Sequence, residues 1–154
     1  QKIIKGEQPI GLLYRRYVIP MVKLNDEMKE TFAKVKLFPV ATASKSGVPN
    51  VAPIAFVMVV SDDTIWLADN YMNKTLANVK ENPHIALYVW EPESRKCFQV
   101  KGKVQVKTSG PDYEKMKEKV KAKKQEYPAK SLLVMKVTDV FTCLPGAEAG
   151  KKLL

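Results

Sequence analysis

Three polar residues, Asn73, Lys74 and Thr75, stand where an apolar strand pattern gives way to a helix pattern. The segment TIWLA (64–68) is typical of a strand, and a short helix is predicted over 74–82. The first turn of a helix exposes about four unpaired N–H groups and the positive end of the helix dipole. With a lysine ammonium and a threonine hydroxyl added, this helix start can bind a phosphate. The competing interpretation is an ordinary Asn cap followed by a solvated lysine and a packed threonine.

A proline in the strand pattern NVAPIAFVMVV (50–60) adds a second feature. Proline has no N–H to donate to a strand ladder, so Pro53 belongs at a sheet edge or at a bulge. A strand without a neighbour at that point can face a ligand instead. A flat heterocycle lying against this strand, with its phosphate at the helix start, would use both features. The alternative is an ordinary edge proline.

The elements that must position these residues are mostly strands. Strand patterns cover 37–43, 50–60, 64–68, 84–90, 97–107 and 131–142, and helix patterns cover 25–35, 74–82 and 112–125. Hairpins dominate, and Gly102 interrupts a strictly alternating strand, which predicts a bulge or a sharp bend. Trp66 and Trp90 lie on apolar strands and are expected in the core. Six antiparallel strands and three helices indicate a mainly β fold, a small, nearly closed barrel with helices at its ends.

The length of 154 residues suits one domain with a single core. We expect residues 21–144 to form that domain and residues 145–154 to form a turn-rich tail. Residues 1–20 are expected to form an arm, or to be sequence added ahead of a native start at Met21. No export signal is apparent, and the longest apolar run falls far short of the roughly 20 residues that span a bilayer.

The net charge, the two cysteines and the single histidine restrict the classes of function that the chain can have. The net charge of +10 favours anionic partners, although the lysine-rich segment 115–124 is most simply a solvated helix face. Cys97 and Cys143 belong to no CxxC pair, which indicates a reduced, cytoplasmic compartment and two small buried side chains. His84 is the sole histidine, which disfavours a zinc site and a Ser-His-Asp triad. No metal site is expected.

Three segments in order carry a resemblance to a known family: SxxGxPxVAPIAFV, DxTIWLADNYMNKTxxNVxENPxIALYVW and FQVKGKVQV. Together they resemble the FMN-binding split barrels related to pyridoxamine 5'-phosphate oxidase, and especially the short FMN-binding-protein branch. The resemblance spans residues 28–142. It implies a six-stranded antiparallel split β-barrel, a homodimer, and FMN bound at the dimer interface.

Carried over by position, the resemblance assigns ten residues to the cofactor. The FMN phosphate would be held by Lys74 and Thr75, with Asn73 alongside. The ribityl pocket would be shaped by Asp69, Asn70 and Met72. The isoalloxazine edge would be lined, largely through backbone atoms, by Val51, Ala52, Pro53 and Ile54. Residues near the end of the last strand, such as Cys143 and Leu144, would reach the partner's flavin.

The chain departs from the larger oxidase pattern at three places. The oxidase usually has Arg-Lys where Lys74-Thr75 stand, and its flavin-contacting Gln corresponds to Cys97. The C-terminal segment TCLPGAEAGKKLL (142–154) lacks the basic and histidine residues that bind the vitamin phosphate. Oxidation of vitamin B6 is therefore not expected.

The resulting hypothesis is a cytoplasmic FMN-binding flavoprotein, either an oxidoreductase or an electron carrier, with no obligatory acid–base side chain. A module that stores or carries FMN without catalysis is one alternative, and a deazaflavin-dependent reductase of the same fold is another. Haem is disfavoured because only His84 could serve as an axial histidine. A basic nucleic-acid-binding barrel depends on net charge and on Tyr14–Tyr17, and its strands lack an aromatic platform.

Overall fold

The computed structural model describes residues 22–154, which form one curled antiparallel sheet and three helices. The expectations for residues 1–20, including the Tyr14–Tyr17 surface, lie outside the described residues. In chain order the elements are α1 (Asp26–Lys34), β1 (Phe38–Ala43), β2 (Pro49–Ile54), β3 (Val57–Ser61), β4 (Thr64–Asp69), α2 (Lys74–Glu81), β5 (His84–Glu91), β6 (Lys96–Lys107), α3 (Pro111–Lys123) and β7 (Ser131–Thr142). The mainly β, antiparallel prediction is confirmed.

The sheet has seven strands rather than the six expected, in the order β2-β1-β5-β6-β7-β4-β3. The extra strand arises because the 50–60 pattern forms two strands with different partners. Pro53 of β2 lies opposite Pro39 of β1, whereas Val57 of β3 lies opposite Leu67 of β4. The prediction of one continuous strand was therefore wrong. Pro53 lies on an edge strand, where its missing N–H leaves no ladder bond unmade.

The sheet is curled because β2 and β3, its two opposite edges, follow each other along the chain. Only Ala55 and Phe56 separate them, and three residue steps reach at most about 11 Å. The two edges therefore meet at this link, and the sheet forms a half-barrel around an apolar core. Helix α1 closes one end, where Phe32 stacks on Phe38 with ring centroids 5.5 Å apart.

The predicted irregularity at Gly102 is confirmed as a bulge. The register between β6 and β7 shifts between Lys101 and Gly102. A Cβ atom at Gly102 would lie 2.4 Å from the carbonyl oxygen of Lys136 and 2.9 Å from the Met135 side chain. Only glycine fits this close approach, so the bulge fixes the bend of both long strands.

One further prediction needs correction. Trp66 is buried beneath α3 as expected, but Trp90 lies on the outer face of β5 with 45% of its surface exposed. The turn-rich segment 145–154 folds back along the C-terminal half of β7, which extends beyond the residues that pair with β4. There the Leu153 N–H donates to the Val140 carbonyl at 2.7 Å, and Phe141 bridges to Lys152. Within residues 22–154, no helix is both long and apolar enough to cross a membrane.

Candidate functional site

A cavity of about 550 Å³ lies between β2 and the segment that connects β4 to α2. That volume is within the range of small-molecule sites in proteins. Nine of the ten residues predicted to bind the cofactor line it: Val51, Ala52, Pro53, Ile54, Asn70, Met72, Asn73, Lys74 and Thr75. Asp69 does not line the cavity. The remaining lining residues are Asn50, Ala55, Phe56, Ala68, Tyr71 and Tyr127.

Helix α2 begins at the cavity without a side-chain cap. Asn73 occupies the N-cap position, yet within the described residues its side chain makes no capping hydrogen bond. In α1, by contrast, the side-chain oxygen of Asn25 accepts the Met28 N–H at 2.8 Å. The first turn of α2 also carries no acidic residue. Its N–H groups and the positive end of its dipole therefore lie at the cavity without a carboxylate in the first turn itself.

The Thr75 hydroxyl is buried and fixed beside this helix start. The Asn50 side-chain amide donates to Thr75 Oγ1 at 3.2 Å and to Thr42 Oγ1 at 3.3 Å. A hydroxyl that accepts a hydrogen bond keeps its own proton for a further partner. Asn78 of α2 also donates to Thr42 Oγ1, at 3.0 Å. These bonds fasten α2 to β1 and β2 and point to Thr75 as a fixed donor.

Lys74 supplies the positive charge of the site. Its side chain is exposed, and no carboxylate among residues 22–154 forms an ion pair with it. A lysine ammonium is a compact charge on a flexible stem and can follow an anion to a suitable position. The helix start, the Thr75 hydroxyl and this ammonium together form an arrangement suited to a phosphate.

Asp69 lies behind the cavity wall and supports it. Its fully buried carboxylate accepts the Met72 N–H at 2.9 Å through Oδ1 and the Ser131 hydroxyl at 2.9 Å through Oδ2. Lys130 Nζ lies 3.6 Å from Oδ1 and 3.4 Å from the Met72 carbonyl oxygen. These partners compensate the burial of a charge. Asp69 therefore fixes the turn between β4 and α2 from beneath.

Asn70 continues this support on the other side of the turn. It is buried, and its side-chain oxygen accepts the N–H of Ala129 at 2.9 Å. Tyr113 of α3 donates its hydroxyl to the Ala129 carbonyl at 3.0 Å. Through Ala129, the turn between β4 and α2 is connected to α3. A displacement of α3 would therefore also move residues that line the cavity.

An aromatic cluster at one end of the cavity was missed by the sequence analysis. Tyr127 packs edge-on against Phe56 and Tyr71, with centroid separations of 5.4 and 6.4 Å. Lys123 lies over the Phe56 ring and Lys124 over the Tyr127 ring, each at 5.4 Å from the centroid. Phe56 lies two residues after the predicted segment 51–54, and Tyr71 lies between the predicted Asn70 and Met72, so both could have been included. Tyr127 has no local signal, since only the tertiary fold brings it there.

Other residues singled out by the sequence lie elsewhere. Cys143 and Leu144 do not line this cavity, and Cys97 and Leu144 line a separate hollow beside α1. His84 is exposed at the start of β5 and is not among the cavity residues. Within the described part of the chain, no group of three or more His, Cys, Asp or Glu side chains is placed to hold a metal ion.

Comparisons with known proteins agree with this architecture. The family model described as pyridoxamine 5'-phosphate oxidase matches residues 24–144. An uncharacterized protein of Methanocaldococcus jannaschii is 38% identical over 134 residues, which cover 85% of this chain and 88% of that protein. The crystal structure of HupZ from Group A Streptococcus has a TM-score of 0.71 and 27% identity, with 82% of this chain and 99% of that one covered.

An FMN-binding protein from Syntrophomonas wolfei is more distant in sequence. Its crystal structure has a TM-score of 0.64 and 22% sequence identity to this chain. The matched residues cover 72% of this chain and 79% of that one. At that level of identity the likeness concerns the fold alone.

Proposed function

Since this chain belongs to the pyridoxamine 5'-phosphate oxidase family, we propose that it is an FMN-binding flavoprotein that acts as an oxidoreductase or electron carrier. One observation carries the proposal: a helix start without a side-chain cap, a fixed hydroxyl and a lysine without an ion-pair partner among residues 22–154 lie together at a cavity along an edge strand. That combination provides for an anionic group and a flat ring within a single site.

The cavity residues are arranged to accommodate FMN in one orientation, with its phosphate at the start of α2. The phosphate would lie at Lys74 and Thr75, near Asn50. From Asn50 to Ile54, β2 is about 13 Å long at about 3.3 Å per residue, and Ala55 and Phe56 extend the wall of the cavity beyond the strand. The isoalloxazine ring would then lie along β2, whose edge position leaves backbone groups free to contact it. The ribityl chain would pass Asn70 and Met72, over the turn that Asp69 supports.

Bound FMN would supply the electron or hydride transfer. The chain's own residues would bind the phosphate, orient the ring and exclude water from one of its faces. The titratable side chains at the cavity are Lys74, Tyr71 and Tyr127, and the proposed function assigns none of them an acid–base step.

We propose further that the protein is a homodimer in which the partner completes the flavin site. The outer face of β5 carries Tyr88 and Trp90, which are 43% and 45% exposed. The strand register extends this surface sideways, because Tyr88 lies opposite Gln99 and Gln99 opposite Phe141. Two exposed aromatic side chains on one strand, continued by a third, form the kind of surface that a protein partner covers.

The primary experiment is a titration of the purified protein with FMN, followed by absorption and by quenching of flavin fluorescence. We expect stoichiometric binding and a perturbed flavin spectrum. The double variant Lys74→Ala/Thr75→Val should raise the dissociation constant at least about tenfold, since each lost contact to a charged group contributes about 1–3 kcal/mol.

Lys80→Ala is the matched control, because Lys80 is an exposed lysine in the last turn of the same helix. It should leave the dissociation constant unchanged. Circular dichroism of the double variant checks that the loss of the Asn50 contact has not unfolded the domain. A folded double variant that binds FMN like the wild type would refute the phosphate assignment.

Turnover measurements separate the oxidoreductase from its alternatives. Reduction of bound FMN by NADH or NADPH, with reoxidation by an added acceptor, supports the proposed activity. Bound FMN that neither nucleotide reduces indicates a storage or carrier module. Preferential binding of a deazaflavin indicates the reductase alternative, and salt-dependent retention on DNA without flavin binding indicates a nucleic-acid-binding protein.

A further inference from the structure

Cys97 and Cys143, which the sequence presents as two unrelated thiols, are neighbours at one end of the sheet. Phe98 of β6 lies opposite Thr142 of β7, and the Cys143 N–H donates to the Cys97 carbonyl oxygen at 3.0 Å. The two cysteines are therefore the next pair in the same antiparallel register. Residues directly opposite in such a ladder project to the same face of the sheet. Both side chains lie on the outer face, since Phe98 and Val140 point into the core.

The spacing of this pair suits a disulfide bond. A hydrogen-bonded antiparallel pair has a Cα separation of about 5.5 Å. Disulfide bonds join residues whose Cα atoms are about 4.4–6.8 Å apart. Both cysteines are free thiols in this structure. The Cα separation typical of such a pair therefore lies within the range that disulfide bonds span.

The two thiols differ in accessibility. Cys143 is exposed, whereas Cys97 is half-buried beside a hollow of about 370 Å³ lined also by Met28 and Leu154. Burial, and then the neighbouring Cys143, raise the pKa of the Cys97 thiol to about 11. In the single chain, the exposed Cys143 thiol is the one that an external disulfide meets first, and the Cys97 thiol, opposite Trp90 on the same face, is placed to resolve the resulting adduct.

We propose that Cys97 and Cys143 form a redox-active dithiol that reduces low-molecular-weight disulfides of the glutathione type. The Cys143 thiol loses its proton, and its sulfur attacks one sulfur of the external disulfide. The S–S bond breaks, one thiol leaves with a proton, and a mixed disulfide forms on Cys143. The Cys97 thiol then loses its proton, its sulfur attacks the Cys143 sulfur, and the second external thiol leaves with a proton. The chain loses two protons and two electrons, which equal two hydrogen atoms, and the external disulfide gains them as two thiols.

The test uses the full chain, reduced and freed of reductant, without added flavin and under anaerobic conditions, so that oxidised glutathione is the sole oxidant. Intact-mass spectrometry after incubation should show loss of two hydrogen atoms per chain and no bound glutathione. Thiol titration should show loss of both free thiols, and a non-reducing gel should show single chains. A stable glutathione adduct, a disulfide-linked dimer or unchanged thiols in the wild-type protein would each overturn the proposal.

Two variants test the roles. Cys97→Ser should accumulate at least about tenfold more bound glutathione than the wild type, because no resolving thiol remains. Cys143→Ser should form no internal disulfide. Gln99→Ser, two residues from Cys97 on the same face of β6, is the matched control and should close the disulfide at the wild-type rate. Equal adduct levels in Cys97→Ser and in the wild type would overturn the assignment of Cys97 as the resolving thiol. None of these measurements depends on FMN, so their outcome is separate from that of the proposed function.

Discussion

Asp69 shows how a single side chain can decide the shape of a ligand site without touching the cavity. One carboxylate oxygen accepts the Met72 N–H, within the turn after β4, and the other accepts the hydroxyl of Ser131, at the start of β7. Because the carboxylate is fully buried, both donors would lose their acceptor together if it were removed. The conformation of residues 70–73 therefore depends on a residue that lies beneath them.

Replacement of Asp69 tests this dependence. Asp69→Ala should lower the free energy of unfolding by roughly 2–6 kcal/mol, because two buried donors are left unsatisfied at about 1–3 kcal/mol each. Urea unfolding followed by circular dichroism measures the change. Glu126→Ala, at an exposed acidic residue, should change the free energy by less than about 0.5 kcal/mol. An Asp69→Ala protein as stable as the control would contradict the supporting role.

At the level of residues, sequence reasoning identified cavity-lining residues where the cavity wall is continuous along the chain. Residues 51–54, 70 and 72–75, which were assigned to the cofactor, line the cavity, whereas Tyr71 between them was missed. It failed for Tyr127 and Ser131, which reach the site only through the packing of α3 and β7. The pairing of Cys97 with Cys143 was missed for a related reason. A pattern of alternating residues predicts a strand but does not determine its register with another strand.

At the level of elements, β2 and β3 show the limit of pattern reading. The helix predicted over 25–35 matches α1, and the strand predicted over 131–142 matches β7. The 50–60 pattern is equally regular, yet it forms two strands. Ile54 of β2 and Val57 of β3 pack against the main core, whereas Phe56 and Met58 pack against the second apolar cluster. The segment is therefore apolar on both faces near the point where the hydrogen-bonding partner changes from β1 to β4. The change of partner therefore left no mark in the sequence other than Pro53.

Gly102 offers the sharpest test of an individual element. Gly102→Ala should destabilise the protein by about 2–3 kcal/mol, since the added methyl group would overlap the Lys136 carbonyl oxygen and force β6 and β7 apart. The measurement is the midpoint of chemical or thermal unfolding. Lys103→Ala, at the exposed next position on the same strand, should be nearly neutral. Equal effects of the two substitutions would mean that the bulge tolerates a side chain.

At the level of the whole molecule, the outer aromatic surface formed by Tyr88, Trp90 and Phe141 connects the proposed dimer with the proposed cofactor. Trp90 was expected in the core because it lies on an apolar strand, but the β5 residues alternate between the core and this surface. If a second copy covers the surface, one face of β5 is buried against the core and the other against the partner. This would explain why apolar residues occur on both faces of the strand.

Charged substitutions on this surface test the dimer. The double variant Tyr88→Lys/Trp90→Lys should change the molar mass measured by light scattering from two chains to one, because burial of two lysines at an interface is unfavourable. It should also weaken FMN binding if the partner contributes to the site. Val48→Lys introduces a lysine at an exposed apolar residue in the turn between β1 and β2, outside this surface, and should leave the dimer intact. A wild-type protein that is monomeric in solution would refute the dimer.

The place of β7 in the sheet has a consequence for biosynthesis. β7 lies between β6 and β4, and the hydrogen bond from Ser131 to Asp69 joins residues 62 positions apart. A nascent chain that has left the ribosome only as far as α3 cannot join its two sets of strands, and pairings of such long range form slowly. Under the proposed function, flavin binding would therefore wait until β7 has emerged and been inserted.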